Sequence, residues 1–182
     1  MTTKRNFIKQ FLKDKKMVGA LAPSSRFLGE RMLENIDFST DKIILELGPG
    51  TGVFTDLVIE QMAEDAQLFV FELNDNFYNS LNVRIDDPRV KIIHDSAEHI
   101  MQYITGKVDV VISSLPLMVF SEELRKNVVQ ASFDSIKENG KYIQFQYSKQ
   151  SKKLLESKYS DVSIKFTVKN FPPAFIYTCL KA

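Results

Sequence analysis

Short β-rich runs alternate with helix-length stretches from Ile43 onward, and this alternation limits the possible fold more than any other feature. It is typical of a mostly parallel sheet with helices on both faces. The predicted strands span residues 42–47, 67–72, 90–94, 108–113, 141–146, 162–168 and 175–180, and the predicted helices span 52–62, 75–85, 122–136 and 149–157. A turn at Asn139-Gly140 is expected before the fifth strand. The sequence therefore predicts an α/β fold with a seven-stranded sheet whose last strand is antiparallel.

Composition favours one cytoplasmic domain over residues 1–182. The chain is 44% hydrophobic and 26% charged, which suits a single buried core. Its one cysteine, Cys179, cannot form an internal disulfide, and no Cys/His cluster has the spacing of a metal site. No apolar run is long enough to span a bilayer, and charges occupy the place of a signal peptide's apolar region. We expect no metal, no spanning helix and no secretion.

Basic residues are concentrated at the N-terminus, where residues 1–16 contain six Lys or Arg and one Asp although the whole chain carries a net charge of only +1. A helical projection separates an apolar face with Phe7, Ile8, Phe11 and Leu12 from a basic face with Arg5, Lys9, Lys13 and Lys16. The pattern predicts an amphipathic basic helix over residues 4–16 that lies in an anionic membrane surface. The alternative is a helix docked on the domain with a solvated basic face.

Three glycines, Gly48, Gly50 and Gly52, follow the first predicted strand and precede a helix. A doubly wound sheet binds nucleotide-like ligands at such a turn, where small residues let the ligand approach the backbone. The G-x-G-x-G spacing and the lack of a following lysine disfavour NAD and ATP. A turn that needs glycine only for its backbone conformation is the alternative.

Acidic residues end the next two predicted strands. Glu72 can accept hydrogen bonds from both hydroxyls of a ribose, as acids at this place do in dinucleotide sites. Asp95 is positioned to accept from an adenine amino group. The alternatives are a solvated surface acid for Glu72 and a helix N-cap for Asp95. Leu73, Ser96 and Ser113, which adjoin these strand ends, complete the predicted ligand site.

The run Glu46-Leu-Gly-Pro-Gly-Thr-Gly52 resembles motif I of the class I S-adenosylmethionine-dependent methyltransferases. In those enzymes the acidic position, here Glu46, is usually associated with the amino-acid end of the cofactor. The resemblance implies a Rossmann-like methyltransferase that uses S-adenosylmethionine as its cofactor.

The segment Ser113-Ser-Leu-Pro-Leu117 ends the fourth predicted strand at the sheet edge where the methyl acceptor must lie. It resembles Ser-Gly-Leu-Pro-Leu of the bacterial phospholipid N-methyltransferases, with Ser114 in the glycine position. Residues 16–25 and 170–175 resemble that family's N- and C-terminal segments. The resemblance implies methylation of phosphatidylethanolamine towards phosphatidylcholine by an enzyme peripheral on the inner face of the cell membrane.

Two other functions fit parts of the pattern. Adenine N6 methyltransferases, including the rRNA adenine dimethyltransferases, have Asn-Leu-Pro-Tyr or similar in the acceptor loop, where the aromatic ring stacks on a flipped base. Ser114 and Leu117 replace that Asn and Tyr. That family normally has a helical RNA-binding domain after the sheet, and here the sequence ends at Ala182. A non-catalytic module that binds S-adenosylmethionine or lipid is the third possibility.

The candidate catalytic residues follow from the lipid hypothesis. Backbone carbonyls around Ser114 and Leu115 are expected to orient the acceptor amine. Tyr147, at the end of the fifth strand, is a candidate for proton handling or for a cation–π contact with the methylated ammonium, unless it is a core tyrosine. Arg26 is a candidate ligand for the lipid phosphate, with a surface arginine that caps a turn as the alternative.

Overall fold

The computed structural model describes residues 26–168, 170 and 172–182, which form one seven-stranded sheet flanked by helices. The strands are β1 (Ile43–Leu47), β2 (Gln67–Phe71), β3 (Val90–Ile93), β4 (Val108–Ser113), β5 (Ile136–Gln146), β6 (Asp161–Thr167) and β7 (Ala174–Leu180). The α-helices are α1 (Arg26–Leu33), α2 (Val53–Gln61), α3 (Asp75–Arg84), α4 (Glu122–Ser135) and α5 (Lys152–Glu156), and 3-10 helices span Ala97–Gln102 and Leu117–Val119.

The strand order is β3-β2-β1-β4-β5-β7-β6. Neighbouring pairs from β3 to β5 are parallel, whereas β7 runs antiparallel to both β5 and β6. This arrangement confirms the predicted mostly parallel sheet with an antiparallel last strand. It also leaves β6 at the edge, because the last strand of the chain inserts between β5 and β6.

The start of β5 differs from the prediction. The sequence predicted a helix through residue 136 and a separate turn, but α4 ends at Ser135 and Ile136 already adopts extended backbone angles as a buried core residue. The predicted turn residues lie inside the strand, where Asn139 has a left-handed φ of 60°. The pairing of β4 with β5 shifts register there, so the turn forms a bulge rather than a break in the strand.

Apolar side chains cover both faces of the sheet, as expected for strands buried between helix layers. One cluster packs α4 and the 3-10 helix Ala97–Gln102 against one face, and a second packs α1 and α2 against the other. Since the parallel strands share a direction, the residues that follow β1, β2, β3 and β4 meet at one edge of the sheet. The predicted functional residues of all four strands are therefore brought to this carboxyl edge.

The predicted N-terminal helix over residues 4–16, with Phe7, Lys9, Phe11 and Lys13, lies outside the described residues and stays a prediction. Among the helices that the structure describes, none is long and apolar enough to cross a membrane. Likewise, residues 26–168, 170 and 172–182 contain no group of three or more His, Cys, Asp or Glu side chains that could hold a metal ion.

Candidate active site

The glycine turn joins β1 to α2 in a backbone conformation that residues with a β-carbon rarely adopt. The φ angles of Gly48, Gly50 and Gly52 are 69°, 57° and 86°, in the left-handed region that glycine adopts without steric cost. A β-carbon built on Gly48 would lie 2.6 Å from Cδ2 of Leu115, so this glycine also lets the acceptor loop approach closely. A β-carbon on Gly50 would meet no atom of the described residues within 4 Å. The turn thus leaves open space beside Gly50.

Glu46 is fully buried at the end of β1, directly before the glycine turn. Its Oε2 accepts a hydrogen bond of 2.7 Å from Oγ1 of Thr55, whereas its buried Oε1 has no hydrogen-bond partner among the described residues. Burial raises the pKa of Glu46 to about 8, against the opposing effect of the Thr55 hydroxyl. A buried acceptor without a partner is costly, and a cationic ligand group would satisfy it. The acidic position of the motif therefore fits the amino-acid end of S-adenosylmethionine.

Glu72 follows β2 and is only 4% exposed, which excludes the solvated surface acid considered above. Its Oε1 accepts from the backbone N–H of Asn74 at 2.7 Å, and its Oε2 accepts from the N–H of Gly50 at 3.2 Å. Burial raises its pKa to about 7, although both backbone hydrogen bonds oppose this shift. Glu72 therefore ties the glycine turn to the end of β2, next to the buried Leu73.

Asp95, after β3, lies in a dense hydrogen-bond network. Its Oδ2 accepts from the hydroxyl of Tyr103 at 2.8 Å, and its Oδ1 accepts from the N–H of Ser96 at 2.7 Å and lies 3.0 Å from Nδ1 of His99. Burial alone would raise the pKa of Asp95, but these hydrogen bonds outweigh it and hold the pKa below its usual value. The side chain that caps the following helix is Ser96, by accepting from the N–H of Glu98, so the N-cap alternative for Asp95 was wrong.

The acceptor loop is fixed by hydrogen bonds to the carbonyl of Leu115. Nε2 of Gln144 donates to this oxygen at 2.8 Å, and Nε2 of Gln146 donates at 3.1 Å. A carbonyl oxygen has two lone pairs, so both are used within the protein. This corrects the expectation that the Leu115 carbonyl orients the acceptor amine, and it leaves Ser114, which is half-buried, as the candidate.

Gln144 and Gln146 were missed by the sequence reasoning. Both are buried near the end of β5, and Gln144 also accepts from the hydroxyl of Tyr142. The available signal was the alternation of glutamine with large apolar residues in a strand that is buried on both faces. Buried polar groups need partners, so this pattern indicates a polar contact on one face. The sequence analysis predicted the strand but assigned these glutamines no role.

Tyr147 is half-buried just beyond β5, and its ring packs edge-on against Phe145 with centroids 5.7 Å apart. Its buried hydroxyl has no hydrogen-bond partner of good geometry among the described residues. Burial raises its pKa more than the nearby Asn170 side chain lowers it. The phenol therefore stays protonated at neutral pH. This disfavours the role of general base and leaves the cation–π role.

Arg26, at the start of α1, pairs with acidic neighbours, although its side chain is 60% exposed. Its guanidinium lies 2.6 Å from Oε2 of Glu60 and 3.2 Å from Oε1 of Glu30. The pair with Glu60 joins α1 to α2 across the surface, whereas the pair with Glu30 lies within α1. These ion pairs disfavour a lipid-phosphate ligand, so we do not assign Arg26 a place in the site, and the turn that it was expected to cap lies outside the described residues.

Comparison with known proteins agrees with this geometry. Residues 44–140, more than half of the chain, match the family described as "Methyltransferase domain". The chain belongs to this family. An ornithine lipid N-methyltransferase from Singulisphaera acidiphila is 25% identical to it, and the alignment covers 95% of this chain and 93% of the relative.

Solved methyltransferases share the fold. Magnesium protoporphyrin IX methyltransferase from Synechocystis PCC 6803, with bound S-adenosylmethionine, superposes with a TM-score of 0.67 at 10% identity. The superposition covers 100% of this chain and 99% of that enzyme's chain. An rRNA methylase from Streptococcus thermophilus has a TM-score of 0.65 at 13% identity, with 86% and 95% covered.

These findings confirm that the protein is an S-adenosylmethionine-dependent methyltransferase with a Rossmann-like fold. These two solved enzymes are named for unrelated acceptors, a porphyrin and rRNA. Fold similarity at such low identity therefore leaves the acceptor to be argued from the site.

Proposed function

We propose that this methyltransferase N-methylates the head-group amine of a membrane lipid, with phosphatidylethanolamine as the acceptor, at the inner face of the cell membrane. The observation that carries the proposal is the Ser113–Leu117 loop. It lies against the glycine turn, since Leu115 contacts the position of a β-carbon on Gly48 at 2.6 Å. The loop thus borders the proposed cofactor site, and its sequence resembles that of the lipid enzymes, with Ser114 in the glycine position. The 25% identical relative, a lipid N-methyltransferase, supports the same class of acceptor.

The residues at the carboxyl edge fit the parts of S-adenosylmethionine. The free Oε1 of Glu46 would accept from its ammonium group. Oε1 of Glu72 accepts from Asn74 and Oε2 accepts from Gly50, and the backbone of Leu73 also hydrogen-bonds this carboxylate, so its remaining acceptor capacity would serve the ribose hydroxyls. Asp95 would accept from the adenine amino group, and Leu73, Ser96 and Ser113, which follow or end β2, β3 and β4, stay predicted contacts of the cofactor. The cofactor supplies a methyl group that its sulfonium already activates.

The protein's task at the acceptor is to hold a neutral amine in line with that methyl group. The Ser114 carbonyl would accept a hydrogen bond from the amine and aim its lone pair. Gln144 and Gln146 would keep the loop in place through Leu115. The ring of Tyr147 would contact the ammonium once it is methylated, because an aromatic face attracts a cation that lacks N–H donors.

The acceptor loop argues against the adenine alternative. Leu117 occupies the position of the stacking aromatic residue, and it is fully buried in the core beneath α4. A buried aliphatic side chain offers no surface on which a flipped base can stack. The loop therefore lacks both the amide and the ring of the adenine enzymes, and RNA remains the acceptor only under the alternative hypothesis.

Ornithine lipid is a second candidate acceptor, because the 25% identical relative is an ornithine lipid N-methyltransferase. Both lipids present a primary amine. Vesicles that contain either lipid at equal density, incubated with labelled S-adenosylmethionine, separate the two. We expect faster labelling of phosphatidylethanolamine. Labelling of ornithine lipid alone would move the assignment to that acceptor.

Glu72→Ala is expected to weaken S-adenosylmethionine binding at least tenfold. The substitution removes a charged acceptor for two hydroxyls, which contributes about 1.5–3 kcal/mol. Calorimetry on the folded variant measures the change. Glu64→Ala, which removes an exposed acid before β2, is the matched control and should bind like the parent. A change below about twofold for Glu72→Ala would show that Glu72 does not contact the cofactor.

Phe7→Ser combined with Phe11→Ser is expected to abolish vesicle binding and lipid methylation together, while cofactor affinity stays within about twofold. These residues lie outside the described part of the chain. The prediction follows from the apolar face in the sequence, because each large side chain buried in acyl chains contributes about 1.5–3 kcal/mol. Gln10→Ser in the same segment is the control. Sedimentation of the double variant with anionic vesicles at the parent's level would contradict the membrane helix.

A further inference from the structure

Four residues near the end of β6 and the start of β7 form an apolar and basic cluster, here called the edge patch, whose members are exposed except for the half-buried Phe175: Lys149, Phe166, Val168 and Phe175. Phe166 is 55% exposed and Val168 is 69% exposed, although both are large and apolar. The rings of Phe166 and Phe175 lie 4.9 Å apart, and Nζ of Lys149 lies 5.1 Å from the centroid of the Phe175 ring. Single exposed apolar residues are common, but contiguous ones indicate an interaction surface.

The edge patch is connected to the acceptor loop through paired strands. Phe166 is directly opposite Phe175 on β7, and Phe175 is opposite Gln146 on β5. Gln146 in turn donates to the Leu115 carbonyl of the acceptor loop. Three strand spacings, about 14 Å, separate β4 from β6. The patch therefore lies at the same carboxyl edge as the site, within the reach of a lipid head group and its glycerol backbone.

Charge distinguishes the occupant of this surface. Residues 149–169 contain six lysines and only two acids, Glu156 and Asp161. Lys149 is exposed after β5 and Lys153 is exposed on α5, whereas Lys152 pairs with Glu156 at 3.3 Å and Lys165 lies 3.9 Å from Glu34. A basic surplus around protruding aromatic and aliphatic side chains complements anionic head groups with acyl chains beneath them. The lysines also oppose pairing of the exposed β6 edge with a second copy of the chain.

We propose that the edge patch docks on an anionic phospholipid bilayer, so that Phe166 and Val168 insert at the head-group level and the acceptor loop faces the lipid surface. The inference rests on the proposed function for its purpose, but its contacts are separate from the N-terminal segment. It gives the enzyme a second membrane contact that fixes the orientation of the sheet edge. A single helical anchor would leave that orientation free.

The test uses the full chain with Phe166→Ser and Val168→Ser together. Val83→Ser is the matched control, because Val83 is 86% exposed near the end of α3. This helix packs against β3, the strand at the other end of the strand order from β6. Binding is measured by sedimentation with vesicles of phosphatidylglycerol and phosphatidylcholine, and with phosphatidylcholine alone. We expect the double variant to bind anionic vesicles at least fivefold less, with unchanged cofactor affinity and unchanged methylation of lipid dispersed in detergent. The control should match the parent.

The outcomes separate docking from the proposed function. Vesicle binding of the double variant at the parent's level, or an equal loss in Val83→Ser, would overturn the docking surface and leave lipid methylation standing. A parent that binds vesicles through the patch but methylates no lipid would overturn the function and leave the docking surface standing. A parent dimer that becomes monomeric in the double variant on size-exclusion chromatography would assign the patch to self-association and overturn the proposal.

Discussion

Gly50→Val is expected to abolish S-adenosylmethionine binding while the sheet and helices stay folded. The position has a φ of 57°, and a β-carbon there would have no atom within 4 Å in the part of the chain that the structure describes. A branched side chain would occupy that space, which is where we place the methionine part of the cofactor. It would also strain the turn, by about 1–3 kcal/mol, and disturb the N–H that donates to Glu72.

Calorimetry of cofactor binding, with circular dichroism as the check on folding, measures this effect. Gly106→Val is the matched control, because a β-carbon on Gly106 likewise meets no atom within 4 Å among residues 26–168, 170 and 172–182, and the residue lies in the loop before β4. We expect the control to retain the parent's affinity. Unchanged affinity in folded Gly50→Val would exclude the glycine turn as the cofactor site.

Glu46→Gln is expected to weaken cofactor binding by more than about a hundredfold, because removing the charge of one partner from a buried ion pair costs about 3–5 kcal/mol. The substitution keeps the shape of the side chain and an oxygen for the Thr55 hydroxyl. The loss therefore reports the charge rather than the packing. Glu64→Gln, at an exposed acid, should leave the affinity unchanged.

The same variant tests the buried charge through pH. The pKa of Glu46 in the folded protein, about 8, lies above its ordinary value of 4.5, and Glu72 is raised to about 7. Between the ordinary pKa of 4.5 and these raised pKa values, the folded state holds protons that the unfolded state has lost, so the free energy of unfolding falls as pH rises. From pH 5.5 to pH 9, the parent without cofactor should lose at least about 2 kcal/mol more of its free energy of unfolding than Glu46→Gln. Parallel urea-denaturation results for the two proteins would show that Glu46 is not a raised, buried carboxyl.

Local sequence patterns were sufficient for the fold and for the positions of the acidic residues. The alternation of apolar runs and amphipathic stretches defines parallel strands and covering helices, and parallel strands bring their ends to one edge. The sequence therefore predicted that Glu46, Glu72 and Asp95 lie at the same edge of the sheet. What the pattern did not contain is their burial, which raises the pKa of Glu46 and Glu72, whereas hydrogen bonds keep the pKa of Asp95 low.

Contacts between distant segments account for the features that the sequence did not predict. The bond from Gln144 to Leu115 spans 29 residues, and no local period indicates it. The edge position of β6 depends on where β7 inserts, which is decided by pairing across the sheet. Phe166 lies on this edge strand, which has a neighbouring strand on only one side. Arg26 illustrates the same limit, since its partner Glu60 lies on another helix.

The central claim is that the acceptor is a lipid amine, and methyl transfer into lipid tests it most directly. The purified chain is incubated with labelled S-adenosylmethionine and vesicles of phosphatidylethanolamine and phosphatidylglycerol, and the extracted lipids are separated by thin-layer chromatography. We predict label in methylated derivatives of phosphatidylethanolamine, and none when Gly50→Val replaces the parent. An enzyme that binds the cofactor but leaves lipid amines unlabelled, or that labels RNA instead, would contradict the account.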